Sequence, residues 1–590
     1  MILNKDKNKI NIDLGIVIGG EAGMGVSTTG DTIAKYFLRY GYWSFVYNEY
    51  PSIIKGGHYA SYLHITSNES HSHTKNINII IALNLETIKL HIDKLSDKAL
   101  IIFDKSSCSK KDEVLNDPRI IDIPLSTIAK EVGKNELMRN TVAMGALLPL
   151  LGMNIDLLID MVNKTFMKKG QEIIDANVNC LKSGFEYVRK QLVLDVKDPL
   201  YNLEQYDQEK RLLITGNDSV AMGAIKAGMK YYAAYPMTPA TNILHLLAKL
   251  ENKYNIVTKH TEDEIAAINS VIGASFAGVR AMCGTSGGGF SLMVEGLGLA
   301  AMTETPIVIV VAQRPGPATG LPTWTDQGDL HFVLNASQGE FPRVVVAPGD
   351  NNECFEETYR AFNIAERFQI PVIILTDKYL AESSITTNEF QTNQLKIDRG
   401  YLITQAAINR IDKYHRYENT LNGVSPRTIP GIINGEYLAN SDEHDEYGFA
   451  NEDSDNRIEQ TDKKFRKMFD LAKYLPSPKV YGNPKAKLGI ICWGSLKLQM
   501  LDVLTHLIKF GVEIKFLHLT YLSPFPSDEV KLFINSTQEC IIIENNATAQ
   551  LAHLIREKTA ITVERLILKY DGRPFDTDEI VKELLNDKNI

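Results

Sequence analysis

Cysteine is scarce in this 590-residue chain: Cys108, Cys180, Cys283, Cys354, Cys492 and Cys540 lie far apart, with no CxxC pair. That spacing excludes a disulfide scaffold, a structural zinc site and an iron–sulfur cluster held wholly by this chain. Each thiol reads as a buried or surface group in a reducing compartment. Long apolar runs are missing too. The longest, such as PIVIVVA at 306–312, are strand-length, far short of the roughly 20 residues that cross a bilayer. There is no basic excess: 63 Lys and Arg face 72 Asp and Glu, a net charge of −9, which argues against a dedicated nucleic-acid binder. The opening MILNKDKNKINIDLGIVIGG carries charges but no signal-type apolar region followed by a small-residue cleavage site. A cytoplasmic protein is expected.

The 44% hydrophobic and 23% charged content is ordinary for a globular chain, and at roughly 100–200 residues per domain the length suggests three or four domains. From residue 14 the pattern is strand, glycine loop, helix (LGIVIGG, EAGMGVSTTG, DTIAKYFLRYGY), with β-rich runs at 76–83 and 99–103 and helical stretches at 141–153 and 155–166. This alternation predicts a parallel sheet covered on both faces. The charged stretch 190–210 is the expected first linker. A second α/β region starts at Arg211, with apolar strands at 306–312, 343–346 and 371–376 of the kind buried on both faces. From about 395 to 480 apolar periodicity fades and an acidic run appears (SDEHDE, 441–446), predicting a connector packed over another part of the protein. LGIICWGS, after Lys487, opens a third small α/β region. No short-period repeat is present.

The cluster Gly19-Gly20-Glu21-Ala22-Gly23-Met24-Gly25 offers backbone N–H groups at a helix start, suited to an anion. It has neither GxGxxG nor P-loop spacing, and glycines needed only for a tight turn explain it equally well. His58, after Gly56-Gly57, reads as a turn residue. In Tyr235-Pro236-Met237-Thr238-Pro239-Ala240-Thr241, two prolines fix the backbone around Thr238. Thr238 or Thr241 is either a helix cap or a rigid hydroxyl at a strand's carboxyl end, where α/β ligands bind. Glu262 and Asp263 read as dipole-complementing acids at a helix start. Glu264 follows against small residues, and a semi-buried carboxylate there is costly unless partnered. The turn Thr285-Ser286-Gly287-Gly288-Gly289 feeds another helix. Arg314, directly after the buried strand PIVIVVA, is either an interdomain ion-pair strut or a fork for a small-molecule carboxylate.

YPMTPAT, EDEIAAIN, TSGGGFSLM and QRPGPATGLPTWTDQGDL, in this order, resemble the α subunit of 2-oxoacid:ferredoxin oxidoreductases. GGEAGMGV and YPSIIKGGHYASY resemble that family's γ domain, fused ahead of the α part. GVSPRTIPG (423–431) and DEHDEYG (442–448) are similar to the two-subunit, 2-oxoglutarate-type members, and IENNATAQL and KYDGRPF to the family's closing domain. The resemblance implies three α/β domains: a γ domain over 1–195, a pyrimidine-binding thiamine-enzyme domain over 211–395 and a transketolase-C-like domain over 481–590, with the connector at 396–480 between the last two. It also implies thiamine diphosphate chemistry, in which a 2-oxoacid is oxidatively decarboxylated, the acyl group passes to coenzyme A and electrons pass to ferredoxin. A β subunit is expected to hold the diphosphate, Mg2+ and a [4Fe–4S] cluster, in an αβ or (αβ)2 assembly without which this chain is inactive. By resemblance Glu264 matches the glutamate that bonds the aminopyrimidine ring nitrogen, Thr238 the threonine near the reacting carbons, and Arg314 the arginine on the substrate's carboxylate or carbonyl oxygen. Met237 and Ala240 stand where isoleucine and serine are more usual, and the triple-glycine turn departs from the commoner form and receives no ligand. The favoured substrate is 2-oxoglutarate, with broad 2-oxoacid or pyruvate specificity as alternatives. A non-catalytic subunit keeping the fold, a transketolase- or pyruvate-dehydrogenase-type enzyme and an indolepyruvate-type enzyme are the competing readings. The last ordinarily ends in ferredoxin-like cysteines that this chain lacks.

Overall fold

The computed structural model describes residues 12–53, 56–108, 112–192, 203–206 and 209–586. They form an α/β structure in two compact units, Met1–Ile214 with Ser383–Glu389, and Thr215–Glu382 with Phe390–Ile590. Most of the expected linker at 190–210 lies outside the described residues.

The first unit holds an eight-stranded sheet in the order Ile120–Asp122, Leu95–Phe103, Ile77–Ala82, Asp13–Glu21, His58–Thr66, Trp43–Glu49, Ser384–Asn388, Arg211–Thr215. Asp13–Glu21 is buried along its length except at its two ends. The helix Val26–Arg39 buries Val26, Ile33, Ala34 and Phe37, the spacing of a single apolar stripe. Its cap is Gly25, at φ 75°, where an added Cβ would lie 2.6 Å from the Asn140 amide. That crowding explains one of the loop glycines without any anion.

The expected parallel sheet is only half present. Strands Asp13–Glu21, Ile77–Ala82, Leu95–Phe103 and Ile120–Asp122 pair in parallel, but Asp13–Glu21 with His58–Thr66, and His58–Thr66 with Trp43–Glu49, run antiparallel. The connection between the latter two spans only residues 50–57, too short for the crossover a parallel pair needs. Two further strands depart from the expected boundaries. Arg211–Thr215, read as opening the second region, and Ser384–Asn388, inside the expected 211–395 domain, both complete the first sheet.

The second unit carries two sheets. The seven-stranded one runs Tyr521–Ser523, Val344–Val346, Val372–Asp377, Val308–Gln313, Ala281–Thr285, Tyr231–Ala234, Val257–His260. All its pairings are parallel except that of the edge strand Tyr521–Ser523. The five-stranded sheet centres on Leu488–Trp493, with Ile514–Leu519 and Glu539–Glu544 in parallel on either side. The two sheets share one core, in which Val271, Phe290 and Leu297 belong to the same cluster as Trp493, Val530 and Leu554. Among the described residues, no helix is long and apolar enough to cross a membrane.

The connector hides a 21-residue helix, Ser454–Tyr474, that the apolar pattern did not reveal. Its buried face consists of Gln460, Lys463, Lys464, Lys467 and Leu471, so a hydrophobic period is absent by construction. Lys463 and Lys467 both pair with Glu304, which is 1% exposed and sits at φ 48°. Arg416 Nη2 donates to the Glu304 carbonyl at 2.9 Å. Burial by itself would raise the Glu304 pKa, yet the two ammonium groups hold it well below the usual carboxylate range. Burial also pushes Lys463 down to about 7. A second buried carboxylate, Glu366, receives Arg280 at 2.8 Å, Arg399 at 2.8 Å and Arg427 at 3.0 Å. The connector is therefore fastened by buried charge pairs in addition to a few apolar residues such as Ile408, Tyr417 and Leu471.

Removing one partner of a buried pair leaves the other charge uncompensated, at a cost of about 3–5 kcal/mol. Glu304→Gln is accordingly expected to lower the melting temperature in calorimetry and speed hydrogen exchange in 454–474. Because the folded-state pKa of Glu304 is depressed, its stabilisation is present at neutral pH and fades as pH falls through the carboxylate range. A wild-type melting curve for Glu304→Gln at pH 7 contradicts this account.

Candidate active site

Parallel pairing brings three turns to one rim of the seven-stranded sheet. Thr285 is in register with Val311, two residues before Gln313, and Cys283 lies opposite Ala233. The segments that leave these strands, 235–240, 286–289 and 314–329, therefore emerge together at the carboxyl ends, where α/β sheets bind ligands.

Arg314 reaches across this rim. Its Nη1 donates to the Thr238 carbonyl oxygen at 2.7 Å, so two of the three predicted site residues are in direct contact. Burial lowers the guanidinium pKa and Asp329 opposes that shift. An arginine so placed remains a cation. The Thr238 turn is held from below by Asn217 Nδ2, which donates to the Pro239 carbonyl at 2.7 Å. The helix Thr241–Tyr254 starts from Ala240 with no side-chain cap, so neither Thr238 nor Thr241 serves as the cap that one reading proposed.

Glu264 is the first residue of the helix Glu264–Phe276. Asp263 caps that helix by accepting the Ala266 N–H at 2.8 Å, which leaves the Glu264 carboxyl free of that task. It is 2% exposed. Its Oε1 lies 3.5 Å from Thr285 Oγ1, a long contact, and Thr285 Oγ1 lies 3.8 Å from Met237 Sδ. Thr285 thus links the Glu264 carboxyl to the side chain of Met237, the residue before Thr238. Gly289 makes the approach possible: a Cβ there would fall 2.4 Å from Glu264 Oε1 and 2.1 Å from Thr285 Oγ1. Burial raises the Glu264 pKa, only partly offset by its own backbone N–H and the Thr285 hydroxyl.

Four residues to which sequence reasoning assigned no role complete the rim. Gln313 accepts the Asp329 N–H at 3.0 Å and donates to the Thr376 carbonyl at 3.2 Å, tying together the two ends of the 314–329 loop. Gly287 is closely packed by Asp329, whose Oδ2 is 2.3 Å from where a Cβ would stand. Burial pushes both Asp326 and Asp329 up to about 6, with Arg314 opposing the rise at Asp329. The available signal was TWTDQGDL itself, with two acids three residues apart soon after a buried strand. His58 stays outside this constellation. It lies in the first unit, with Nε2 3.0 Å from His91 Nε2. Among the described residues, no group of three or more His, Cys, Asp or Glu is placed to hold a metal ion. A cavity of about 1070 Å³, bounded by Arg367, Tyr401, Leu421 and Tyr474, contains none of the rim side chains, so volume alone does not locate the chemistry.

Comparison with known proteins gives this rim a context. The family described as "Pyruvate flavodoxin/ferredoxin oxidoreductase, thiamine diP-bdg" matches residues 222–463, and "Pyruvate ferredoxin/flavodoxin oxidoreductase" matches 15–187. Together they define a thiamine-dependent oxidoreductase class. The 2-oxoacid:ferredoxin oxidoreductase subunit alpha of Saccharolobus solfataricus is 33% identical over 96% of both chains. The 2-oxoglutarate oxidoreductase subunit KorA of Mycobacterium tuberculosis is 28% identical over 96% of this chain and 90% of its own. Among solved structures, a 2-oxoglutarate:ferredoxin oxidoreductase from Magnetococcus marinus, with 2-oxoglutarate, coenzyme A and succinyl-CoA bound, superposes with a TM-score of 0.89 at 31% identity, covering 97% of this chain and 99% of that one. The chain belongs to the 2-oxoacid:ferredoxin oxidoreductase family, as an α-type subunit.

The Glu264 geometry has a measurable consequence for stability. A carboxyl whose folded-state pKa is raised contributes stability below the ordinary carboxylate value and loses it as pH rises. At pH 7–8 the ionised group therefore costs stability that an amide does not. Glu264→Gln is expected to melt at or above the wild-type temperature at pH 8, with the difference shrinking towards pH 5. A melt well below wild type at both pH values shows instead that the carboxylate holds the fold.

Proposed function

We propose that this chain is the catalytic α subunit of an enzyme that oxidatively decarboxylates a 2-oxoacid, with 2-oxoglutarate as the first choice. The products are acyl-CoA, CO2 and two electrons passed to ferredoxin. The observation that carries the reading is the contact of Arg314 with Thr238 at the rim where Thr285 meets the under-partnered Glu264 carboxyl. In this reading the rim combines a partly buried cation, a hydroxyl-bearing turn and a buried carboxyl. The bound 2-oxoglutarate of the Magnetococcus marinus protein and the names of the KorA relatives support 2-oxoglutarate. The unspecific "2-oxoacid" names of the archaeal relatives favour a second reading, broad specificity that includes pyruvate. A non-catalytic subunit would have no need of an expensive buried carboxyl.

The rim fits the aminopyrimidine of thiamine diphosphate. Gly289 lets the Glu264 carboxyl come close to Thr285, and that buried carboxyl is held only by its own backbone N–H and a long contact to the Thr285 hydroxyl. When bound, thiamine diphosphate supplies a carbon nucleophile and an electron sink for decarboxylation. Glu264 would hold a proton between its carboxyl and a pyrimidine ring nitrogen, favouring the tautomer that can act as a base. Thr238 would orient the reacting carbons, and Arg314 would bind the substrate carboxylate by its fork. In this reading the first unit is the γ-type domain. A separate β subunit supplies the diphosphate and Mg2+ site, the [4Fe–4S] cluster and a cation for the distal carboxylate of 2-oxoglutarate, in an αβ or (αβ)2 assembly. Coenzyme A is the acyl acceptor.

Two measurements test this. The isolated chain is expected to contain no stoichiometric iron or acid-labile sulfide and to be inactive. Activity with coenzyme A and a viologen dye should appear only with the β subunit, and turnover on 2-oxoglutarate, pyruvate and branched 2-oxoacids ranks the substrates. A cluster in the isolated chain overturns the division of labour. In the αβ complex, Arg314→Ala removes a charge-assisted pair worth roughly 2–5 kcal/mol, so kcat/KM should fall about 30-fold or more. Arg314→Lys keeps the charge but loses the fork and should recover only part of that loss. A destabilised Arg314→Ala complex with wild-type kcat/KM would identify the residue as a strut.

A further inference from the structure

The loop 314–329 carries Arg314 at one end and Asp329 at the other, yet much of its support comes from the five-stranded sheet, which contributes none of the rim groups. Gln327 is the main link. It is 1% exposed, and its backbone and side-chain polar atoms all bond to strand ends and loops of that sheet. Its N–H donates to the Asn545 carbonyl at 2.8 Å, and its Oε1 accepts the Asn545 N–H at 3.1 Å. Its Nε2 donates to the Trp493 carbonyl at 3.0 Å, and its carbonyl accepts Asn546 Nδ2 at 3.3 Å. Near the tip, the Arg573 guanidinium lies 3.3 Å from the centroid of the Trp324 ring, and the Thr325 N–H donates to the Gly572 carbonyl at 3.1 Å. The Gly328 carbonyl next door accepts Gln550 Nε2 at 2.7 Å.

A loop needs no such density of bonds merely to be covered. One residue with four buried hydrogen bonds to a neighbouring sheet, two from its backbone and two from its side chain, sets position, because shifting the loop by an ångström would orphan several buried polar groups at once. The other end of the same loop is Arg314, whose usefulness to a substrate depends on where its fork points. Small displacements of a positioning group cost up to about 100-fold in rate.

We propose that Gln327, assisted by Arg573 on Trp324, is a positioning residue through which the C-terminal sheet sets Arg314 for the 2-oxoacid. The brace acts on substrate carboxylate capture rather than on Glu264. This rests on the Arg314 reading above.

The test is a double-mutant cycle in the αβ complex, with 2-oxoglutarate as the probe. Gln327→Met keeps the volume and the backbone bonds but removes both side-chain ones. It is expected to lower kcat/KM for the 2-oxoacid about 10–100-fold, chiefly through KM, while half-saturation by thiamine diphosphate stays at the wild-type value. In the Arg314→Ala background the same change should cost less than about twofold, since coupled residues are non-additive. In the full-length chain, hydrogen exchange should quicken over 315–329 and not over 281–302. If Gln327→Met does not fold, Arg573→Met reads the same coupling, and Arg573→Lys, which keeps a cation over the indole, should restore most of the affinity. An unchanged KM, or a loss that is equally large without Arg314, overturns the brace. If Arg314→Ala itself has wild-type kcat/KM, the Arg314 reading falls and this one with it. If Arg314→Ala is impaired and Gln327→Met is not, only the brace falls.

Discussion

The parallel register of Ala281–Thr285 against Val308–Gln313 is the constraint on which the active-site rim depends. Because Thr285 stands opposite Val311, the triple-glycine turn and the Arg314 loop leave the sheet almost side by side. A shift of one residue would send every side chain of one strand to the other face. Both strands are fully buried, so apolar packing on each face enforces that register. Thr285 then meets Glu264 from the neighbouring helix, and Gln313 reaches the backbone of Asp329. Thr238 joins from the end of Tyr231–Ala234, which flanks the same central strand.

Buried charges divide into two kinds. Glu304 and Glu366 are saturated: the first by Lys463 and Lys467, the second by Arg280, Arg399 and Arg427. Such clusters fasten the connector, since any other docking would leave several charges unpaired. Glu264 and the Asp326–Asp329 pair are the opposite case. Among the described residues, Asp326 Oδ1 and Asp329 Oδ2 are buried without a hydrogen-bond partner, and Glu264 has only its own backbone N–H and a long contact to the Thr285 hydroxyl. Groups held this way keep raised pKa values and unspent hydrogen-bonding capacity, which is what a ligand site requires and a structural site avoids. One helix connects the two kinds, since Gly287–Met302 begins beside Thr285 and ends next to Glu304.

How far the residues alone could be read varied with the physics of each element. The apolar runs at Val308–Gln313, Val372–Asp377 and Leu488–Trp493 declare themselves as buried strands, and the short motifs at Thr238, Glu264 and Arg314 declare the rim. The helix Ser454–Tyr474 stayed hidden because its inward face is lysine, and a lysine stripe reads as a solvated surface until its carboxylate partners are known. Trp43–Glu49 and His58–Thr66 were passed over because glycines and a proline dominate the intervening loop. Arg211–Thr215 was read into the wrong sheet because a strand's composition does not say which neighbour it pairs with.

Local chemistry is short-ranged, so the chain by itself determined the apolar strands buried on both faces and the proline-stiffened turn at Thr238, and singled out Glu264, Thr238 and Arg314 as candidates. Three things waited for the tertiary structure: the antiparallel half of the first sheet, the capture of Ser384–Asn388 by that sheet, and the grip of Asn545 and Arg573 on the Arg314 loop. The last two join segments far apart in sequence, by more than 200 residues for Gln327 and Asn545. Such contacts are selected by which buried polar groups find partners at once, a condition that depends on the whole fold and that no local window contains.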